Sequence, residues 1–380
     1  MKCKDPIGRY IENSIGELHE LLAALVRIPA PSHHEEARAA FCKSWLEAQG
    51  ATGVYLDEAN NCVYPINCEG RDDLVVFAAH TDTVFPDMEP FELKSDGKRF
   101  YAPGVGDDTA CLAVLLMIAK YFLQSGRKPS CGILIVANAC EEGLGNLKGV
   151  RQIMKDYAGR VRKFYTFDGT YDELVCKCVG SHRYEVECKT AGGHSFSAFG
   201  NPNAIAELAE VISKLYRVAL PQKEGARTTY NVGMIEGGTS VNAIAQSAKM
   251  LYEYRSDNAE CLSDMKAQFE EIIEQANRSG VAKFEVRTIG VRPCEGEVDP
   301  GVLREMIEDA VAVCEACSNI PCKQESGSTD CNVPMSLGIP SVCVGLYLGH
   351  GAHTREEFLE IDSLPVGMHI CFQIMQKFFL

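Results

Sequence analysis

A histidine and an aspartate two positions apart, His80 and Asp82, directly follow an apolar run that covers residues 74–79. In an extended segment, the side chains at positions i and i+2 point to the same side. A histidine that binds a metal ion usually needs a carboxylate to orient its ring, and this pair supplies both groups within one short turn. The pattern fits a metal site, and it also fits a strand that ends in polar residues.

Acidic and imidazole side chains recur next to the elements predicted further along the chain. Each group lies within ten residues before or after an apolar segment: Asp107 and Asp108 before the helical run 111–123, Glu141 and Glu142 after the buried-strand pattern 132–137, Asp168 after the strand 162–167, and His350 and His353 after the strand 340–344. In an open α/β sheet, ligands bind outside the carboxyl ends of the strands. A single acidic pair is most often a solvated surface pair or a helix cap, but repetition at successive strand ends favours one shared site. Imidazole and carboxylate ligands suit a pair of zinc ions, since one carboxylate can bridge both.

Six short motifs, taken in chain order, resemble those of a family of cocatalytic zinc metallopeptidases. This family includes peptidase T, carnosine-type dipeptidases, the glutamate carboxypeptidases and aminoacylases. The motifs are HTDTV (80–84), GVGDDTA (104–110), EEGLGN (141–146), FDG (167–169), AGGHS (191–195) and GAHTREEF (351–358). The resemblance spans the chain from about residue 15 to its end, and it is specific for the family but much less so for the substrate.

The resemblance implies two zinc ions, with Co²⁺ and Mn²⁺ as alternatives, and a set of five ligands: His80 and Asp168 on one ion, Glu142 and His353 on the other, and Asp107 bridging them. It also implies that the peptide bond after Asp107 is cis. His350 competes with His353 as a ligand, but only His353 precedes Thr-Arg-Glu-Glu in the manner of the family.

The resemblance also assigns roles in catalysis. Glu141 is implied as the general base that takes a proton from water and passes it to the leaving amine. Asp82 is implied as the carboxylate that orients His80. The family's peptidases have an aspartate at the position of Asp168, where several acylases have a glutamate, and this favours peptide substrates.

The middle of the chain has a different pattern. The apolar patterns of residues 181–292 predict strands and helices in the order β-α-β-β-α-β. This order is typical of a separate open-faced sandwich domain of the ferredoxin-like type. We therefore expect an α/β fold in which residues 1–180 and 293–380 form a mixed-sheet zinc-peptidase catalytic domain. The inserted α+β domain is, by resemblance, a lid that also forms the interface of a homodimer.

Further residues match positions that contact the substrate in the family. His194 is implied to polarise the scissile carbonyl, and Asn242 and Arg255 to hold a substrate carboxylate or the backbone beside it. Gly327 and Ser328 offer small donors before a predicted helix, where a ligand carboxylate can bind. All but Asn242 have a simpler interpretation: a turn residue for His194, a solvated strand end for Arg255, and an N-cap loop for the last pair.

Composition restricts the partners and the compartment. The 380 residues contain 37 Lys and Arg against 52 Asp and Glu, and the net charge of −15 argues against nucleic acid or an anionic membrane as a partner. The sequence contains neither a signal peptide nor a long apolar stretch, which predicts a cytoplasmic protein. The 18 cysteines are spread through apolar runs, as small hydrophobic residues would be in a reducing compartment.

These observations together predict a metal-dependent exopeptidase that acts on short peptides, of the tripeptidase or aminopeptidase kind of peptidase T. Two alternatives stay open at this point. The same metal centre could serve an N-acyl amino acid amidohydrolase, and the same fold could serve a binding protein that has lost catalysis.

Overall fold

The computed structural model describes residues 6–380. Contacts between residues divide this part of the chain into two compact units. The first unit consists of the described residues up to Cys178 together with Gly296–Leu380, and the inserted unit consists of Val179–Glu295.

The helices are α1 (Pro6–Val26), α2 (Glu36–Ala48), α3 (Thr109–Ser125), α4 (Lys148–Asp156), α5 (Ala204–Leu215), α6 (Ala259–Arg278), α7 (Pro300–Ser318), α8 (Asn332–Ser336) and α9 (Leu364–Met375). Two short 3-10 segments cover Ile361–Ser363 and Gln376–Phe378. None of the helices in the described chain has the length and apolar character needed to cross a membrane.

The strands are β1 (Tyr55–Leu56), β2 (Cys62–Ile66), β3 (Leu74–His80), β4 (Lys94–Ser95), β5 (Arg99–Tyr101), β6 (Gly132–Asn138), β7 (Val161–Phe167), β8 (Glu173–Cys178), β9 (Gly180–Lys189), β10 (Gly193–His194), β11 (Thr228–Gly237), β12 (Ala243–Ile244), β13 (Ser247–Ser256), β14 (Lys283–Arg292), β15 (Lys323–Gly327), β16 (Ser341–Val344), β17 (Gly349–His350) and β18 (Phe358–Glu360).

A mixed sheet organises the first unit. Its strand order is β1-β2-β6-β3-β7-β16-β8-β15, in which β6, β3, β7 and β16 run parallel. Strand β2 pairs antiparallel with β6, β8 pairs antiparallel with β16, and β15 pairs parallel with β8. All seven residues of β3 and all seven of β6 are buried, as expected for central strands covered on both faces. Helix α3 packs against this sheet, and its residues 109–119 are buried without exception.

The register of these strands places polar side chains in one row. His80 at the end of β3 pairs with Asn138 at the end of β6, and Ala78 pairs with Thr166 of β7. Asp168 follows β7 directly. The carboxyl ends of the parallel strands therefore meet at one edge of the sheet, as the sequence predicts.

The inserted unit is an antiparallel sheet of order β11-β13-β9-β14 with α5 and α6 on one face. The chain order β9-α5-β11-β13-α6-β14 gives this sheet the ferredoxin-like arrangement. Residues of β9 alternate between buried and partly exposed, because only one face packs on the helices. The predicted fold class, a mixed-sheet α/β unit with a ferredoxin-like insert, is confirmed.

Helix starts and short strands depend on contacts that the apolar pattern of the sequence does not show. Helix α5 starts at Ala204 because the Asn203 side chain accepts a hydrogen bond from the Ile205 N–H group, which caps the helix. Helix α6 starts at Ala259 for the same reason, with Asn258 as its cap. Strands β8 and β15 lack the apolar alternation that would predict a strand, and Gly327, expected in a loop, is the last residue of β15.

Candidate metal centre

The carboxylate of Asp107 lies between two histidines in the first unit. Its Oδ1 is 3.1 Å from Nε2 of His80, and its Oδ2 is 3.1 Å from Nε2 of His353. Nε2 of His353 also lies 3.2 Å from Oε1 of Glu142. One carboxylate thus faces two imidazoles through its two oxygens, which is the arrangement that a bridging ligand requires.

Asp168 reaches the same centre from β7. Ligand atoms of His80, Asp108 and Asp168 lie within 4.8 Å of one another, and so do those of His80, Asp107 and Glu142. The structure therefore brings together all five side chains that the sequence predicts as ligands. The peptide bond between Asp107 and Asp108 is cis, as the resemblance implies.

Asp108 is a member of this cluster that the sequence analysis did not assign. Its Oδ2 accepts a hydrogen bond from the backbone N–H group of His80 at 2.9 Å, and its Oδ1 is buried with no hydrogen-bond partner among the described residues. The double aspartate was visible in the sequence, but only the hydrogen bond to His80 and the burial of Asp108 show that the second carboxyl group also points inward.

The protonation equilibria reflect a concentration of buried carboxylates. Burial raises the pKa of Glu142 to about 7, and the charges of Asp107 and Glu141 act in the same direction. Burial and the charge of Asp107 also hold the pKa of Asp168 well above its usual range. These anions oppose one another unless protons or cations are present, so the donor set fits divalent cations.

The two histidines respond in the opposite direction. Hydrogen bonds to Asp107 and Glu142 raise the pKa of His353 to about 11. Burial acts to lower the pKa of His80, but the hydrogen bond to Asp107 and the charge of Asp108 outweigh it, so this pKa is raised well above its usual value. Both rings therefore hold protons at the positions where a cation would bind.

Asp82 ties the histidine to the turn that carries Glu141 and Glu142. Its Oδ1 accepts the N–H group of Glu141 at 2.9 Å, and its Oδ2 accepts that of Glu142 at 2.9 Å and the hydroxyl of Ser32 at 2.6 Å. Nδ1 of His80 lies 3.4 Å from Oδ1 of Asp82 and 3.1 Å from its carbonyl oxygen. The carboxylate predicted to orient His80 thus also fixes the paired glutamates, a contact that the sequence analysis missed.

Glu141 is 5 % exposed and lies within electrostatic reach of the cluster. Its charge contributes to raising the pKa of both Glu142 and Asp168. Asp330 is 1 % exposed, and burial together with the charge of Glu141 raises its pKa. It accepts a hydrogen bond from the side-chain amide of Asn138 at 2.7 Å. The segment after β15 therefore comes close to the proposed base.

His350 lies outside this cluster. It belongs to β17, its exposed ring contacts the ring of Phe358 at a centroid distance of 5.8 Å, and it is in neither group of candidate ligands found in residues 6–380. Of the two histidines in this segment, His353 is the one beside Asp107.

The predicted catalytic residue His194 and the predicted substrate-binding residues Asn242 and Arg255 belong to the inserted unit. Nδ1 of His194 accepts hydrogen bonds from the N–H groups of Phe196 and Ser197 at 3.2 and 3.4 Å, which assigns the proton of the neutral ring to Nε2. The N–H group of Ser195 donates to the carbonyl oxygen of Asn242 at 3.0 Å, so these two segments are neighbours. Arg255 donates through Nε and Nη2 to both oxygens of Glu253, at 2.9 and 3.1 Å.

Gly327 and Ser328 lie in the first unit. Gly327 pairs with Cys178 of β8, and a Cβ atom at this position would lie 2.9 Å from Cγ1 of Val175. Ser328 is half-buried, between Gly327 and the buried Asp330. Their proximity to substrate stays a prediction.

Glu357 is a buried, multiply bonded residue that the sequence analysis left without a role. It is 1 % exposed, and its two oxygens accept the N–H groups of Gly104, Gly106 and Asp107. Its place in the GAHTREEF motif could have drawn attention to it, but the sequence alone does not show which groups its carboxylate contacts.

Comparison with known proteins identifies the family. Residues 76–377 match the family model for peptidase family M20/M25/M40. The chain is 24 % identical over 357 residues to a succinyl-diaminopimelate desuccinylase of Corynebacterium glutamicum, covering 92 % of this chain and 94 % of that protein.

Three of the solved structures with similar folds are described as peptidases. The dipeptidase Dug1p of Saccharomyces cerevisiae matches with a TM-score of 0.76 and 16 % identity, covering 98 % of each chain. A tripeptidase of Staphylococcus aureus matches with a TM-score of 0.74 and 21 % identity, covering 96 % of this chain and 99 % of that one. Aminopeptidase PepT of Bacillus cereus matches with a TM-score of 0.72 and 21 % identity, covering 96 % and 98 %. The chain belongs to peptidase family M20/M25/M40, and it is a metallo-hydrolase that acts on peptide or amide bonds.

Proposed function

We propose that the chain is a metal-dependent exopeptidase that hydrolyses short peptides, with a centre for two divalent ions, Zn²⁺ by preference. The observation that carries this proposal is the position of Asp107, whose two carboxylate oxygens each lie 3.1 Å from a different histidine. His80 and Asp168 would hold one ion, and Glu142 and His353 the other. When bound, such ions polarise the peptide carbonyl and lower the pKa of the attacking water.

Glu141 is proposed as the group that moves the proton. Its backbone is fixed by Asp82, while its neighbour Glu142 is engaged with His353, so the two adjacent glutamates divide the work. Glu141 takes a proton from the attacking water and gives it to the amine as the peptide bond breaks. Asp82 acts on the reaction by holding this turn and His80 in place.

His194 is proposed to stabilise the oxyanion that forms on the scissile carbonyl. Because its Nδ1 accepts two backbone N–H groups, its Nε2 carries the hydrogen and can donate it to that oxygen. Asn242, Arg255, Gly327 and Ser328 are proposed to hold the substrate carboxylate or its backbone. Arg255 is paired with Glu253, so a substrate carboxylate would have to exchange with that glutamate.

We also propose that the enzyme is a cytoplasmic homodimer. The cysteines within residues 6–380 are free thiols, which suits a reducing compartment. The dimer rests on the family resemblance of the inserted unit.

An N-acyl amino acid amidohydrolase is the second candidate. It is favoured by the desuccinylase from Corynebacterium glutamicum, which aligns with 92 % of this chain. Asp168, in place of the glutamate that several acylases have, favours the peptidase. An inactive binding protein is not proposed, because the predicted ligands and Glu141 are all present in one cluster.

The test is hydrolysis by protein that has been stripped with a chelator and then reconstituted with Zn²⁺, Co²⁺ or Mn²⁺. The substrates are a panel of dipeptides and tripeptides beside N-acetyl and N-succinyl amino acids, with release of free amine as the readout. Metal-dependent cleavage of peptides supports the exopeptidase, and the products show which end is trimmed. Cleavage of the acyl substrates alone would replace it by the amidohydrolase.

Two adjacent substitutions separate the roles of the paired glutamates. E141Q should retain both ions and lose at least about a hundredfold in kcat, the low end of what general acid–base catalysis contributes. E142Q, the matched variant, should instead weaken metal binding. Loss of metal in E141Q, or normal turnover by it, would contradict the role proposed for Glu141.

A further inference from the structure

We propose that Glu357 and Tyr347 are positioning residues that hold Asp107 opposite His353. One segment, residues 347–357, would then both supply a metal ligand and fix the ligand that it must face. The inference rests on the proposed metal-binding roles of Asp107 and His353.

Glu357 holds the backbone of the segment that leads to Asp107. Its Oε2 accepts the N–H group of Gly104 at 2.7 Å, and its Oε1 accepts those of Gly106 and Asp107 at 2.8 and 2.9 Å. A carboxylate is suited to this task because it only accepts hydrogen bonds and has two oxygens to share among three donors. Burial of the side chain shields these charge-assisted bonds from water.

Tyr347 restricts the same backbone from another direction. A Cβ atom added at Gly106 would lie 2.6 Å from Cε2, Cζ and Oη of Tyr347. The ring is 4 % exposed, and a Cβ atom at Gly349 would lie only 3.0 Å from its Cε2, so the ring has little room to move. Tyr347 therefore packs directly on the residue before Asp107.

Strands β17, β18 and β5 of the four-stranded sheet β17-β18-β5-β4 connect the two segments. Gly349 pairs with Leu359, and Phe358 pairs with Tyr101. Tyr101 is the last residue of β5 and lies three residues before Gly104. His353 lies between β17 and β18 with a positive φ of 67°, and its Nε2 reaches Oδ2 of Asp107 at 3.1 Å. Tyr347 and Glu357 thus lie on either side of His353 in sequence, and both contact the segment that carries Asp107.

A structural role alone would predict a different consequence. If Glu357 only stabilised the loop, its loss would lower the free energy of unfolding and leave the metal affinity of the folded protein unchanged. Residues that orient metal ligands typically change metal affinity by ten- to a hundredfold when they are substituted. Metal affinity therefore distinguishes the two roles.

The experiment is a zinc titration of the chelated full-length protein, in competition with a chromophoric chelator, together with the count of bound ions. E357Q places an amide NH₂ group among three N–H donors, so we expect one of the two ions to bind about ten- to a hundredfold more weakly. E356Q is the matched control, because Glu356 is the exposed neighbour, and it should bind zinc as the wild type does.

G106A tests the same inference with Glu357 intact. Its added methyl group should displace Tyr347 or the Asp107 backbone and weaken the same ion. Wild-type binding by both G106A and folded E357Q would overturn the inference. Should the circular dichroism of metal-free E357Q show loss of the fold, G106A decides the question alone. If the wild-type protein itself fails to bind two ions, the proposed metal centre is wrong, and this outcome is distinct from failure of the positioning role.

Discussion

A cluster of buried carboxylates in the first unit contrasts with the exposed ion pairs on the sheet of the inserted unit. In the first unit, the carboxylates of Asp82, Asp108 and Glu357 are at most 1 % exposed and accept backbone N–H groups. In the inserted unit, charged side chains pair on the open face of the sheet. Glu236 and Lys249, for example, lie 2.7 Å apart with side chains 53 % and 38 % exposed.

The difference shows what each arrangement contributes. Exposed ion pairs typically contribute about 0–1 kcal/mol and are screened by salt. Buried carboxylates destabilise one another unless cations or protons neutralise them, so the first unit depends on what it binds. The inserted unit gains its stability from its apolar core, which includes the buried Tyr252 and Tyr254.

Removing the metal should therefore lower the stability of one unit and not of the other, and this is the largest effect that we expect. At a free ion concentration of about 1,000 times its Kd, one bound ion stabilises a fold by about 4 kcal/mol. Chelation should lower the stability of the first unit by this order and leave the inserted unit nearly unchanged. Trp45 is the single tryptophan and belongs to the first unit, so its fluorescence during urea unfolding reports on that unit alone.

Hydrogen exchange read by mass spectrometry provides the comparison with the inserted unit. We expect chelation to reduce amide protection in β3 and β6 and not in β9 and β13. Equal loss in both units would contradict the separation.

Substitution of Asp82 should disturb the metal centre without removing a ligand. D82N places an NH₂ group against the N–H groups of Glu141 and Glu142, so this turn must move. We expect metal affinity to fall by about ten- to a hundredfold. D73N is the control, since Asp73 pairs with Arg71 at the surface, and zinc titration of both variants makes the measurement.

Metal affinity should also depend on pH with a definite sign. Hydrogen bonds to Asp107 and Glu142 raise the pKa of His353 to about 11, so below that pH the metal-free ring holds a proton. A metal binds the neutral ring, and binding must release this proton. Apparent affinity should thus rise with pH, and more steeply below about pH 7, where burial leaves Glu142 protonated as well.

Calorimetric titration with zinc in two buffers of different ionisation enthalpy counts the released protons. We expect at least one per pair of ions at pH 7.5, and more at pH 6. If the zinc affinity stays constant between pH 6 and pH 7.5, zinc does not displace a proton from His353, and the prediction is wrong.

The smallest effect is expected on the open face of the inserted unit. E236Q breaks the pair with Lys249 and should change the free energy of unfolding by less than about 1 kcal/mol. Urea unfolding of the full chain measures it. A loss of about 3 kcal/mol or more would mean that the inserted unit, too, depends on its charges.

Sequence patterns indicated that several polar side chains come together because they lie at or shortly after the ends of apolar strands, and the family resemblance implied which of them are ligands. His80, Asp168 and Glu142 stand within four residues of segments whose burial is evident from composition, and the carboxyl ends of parallel strands meet at one edge. The fold class could also be predicted from apolar patterns, because the period of the apolar residues changes between the two units.

The contacts that position those ligands could not be predicted in this way. Glu357 and Asp82 bind backbone N–H groups, and every residue other than proline offers the same group, so no letter marks the partner. The short strand β15, with the sequence KQESG, pairs with β8 at the edge of the sheet and has no apolar pattern to reveal it. Such pairings depend on tertiary register, which local sequence does not encode.

The most direct test of the account is the position of the metal ions in crystals grown with Zn²⁺, located by anomalous scattering at the zinc absorption edge. The account predicts two peaks on either side of the Asp107 carboxylate, one beside His80 and Asp168 and the other beside Glu142 and His353. A single peak, or a pair of peaks that does not share Asp107, would contradict it.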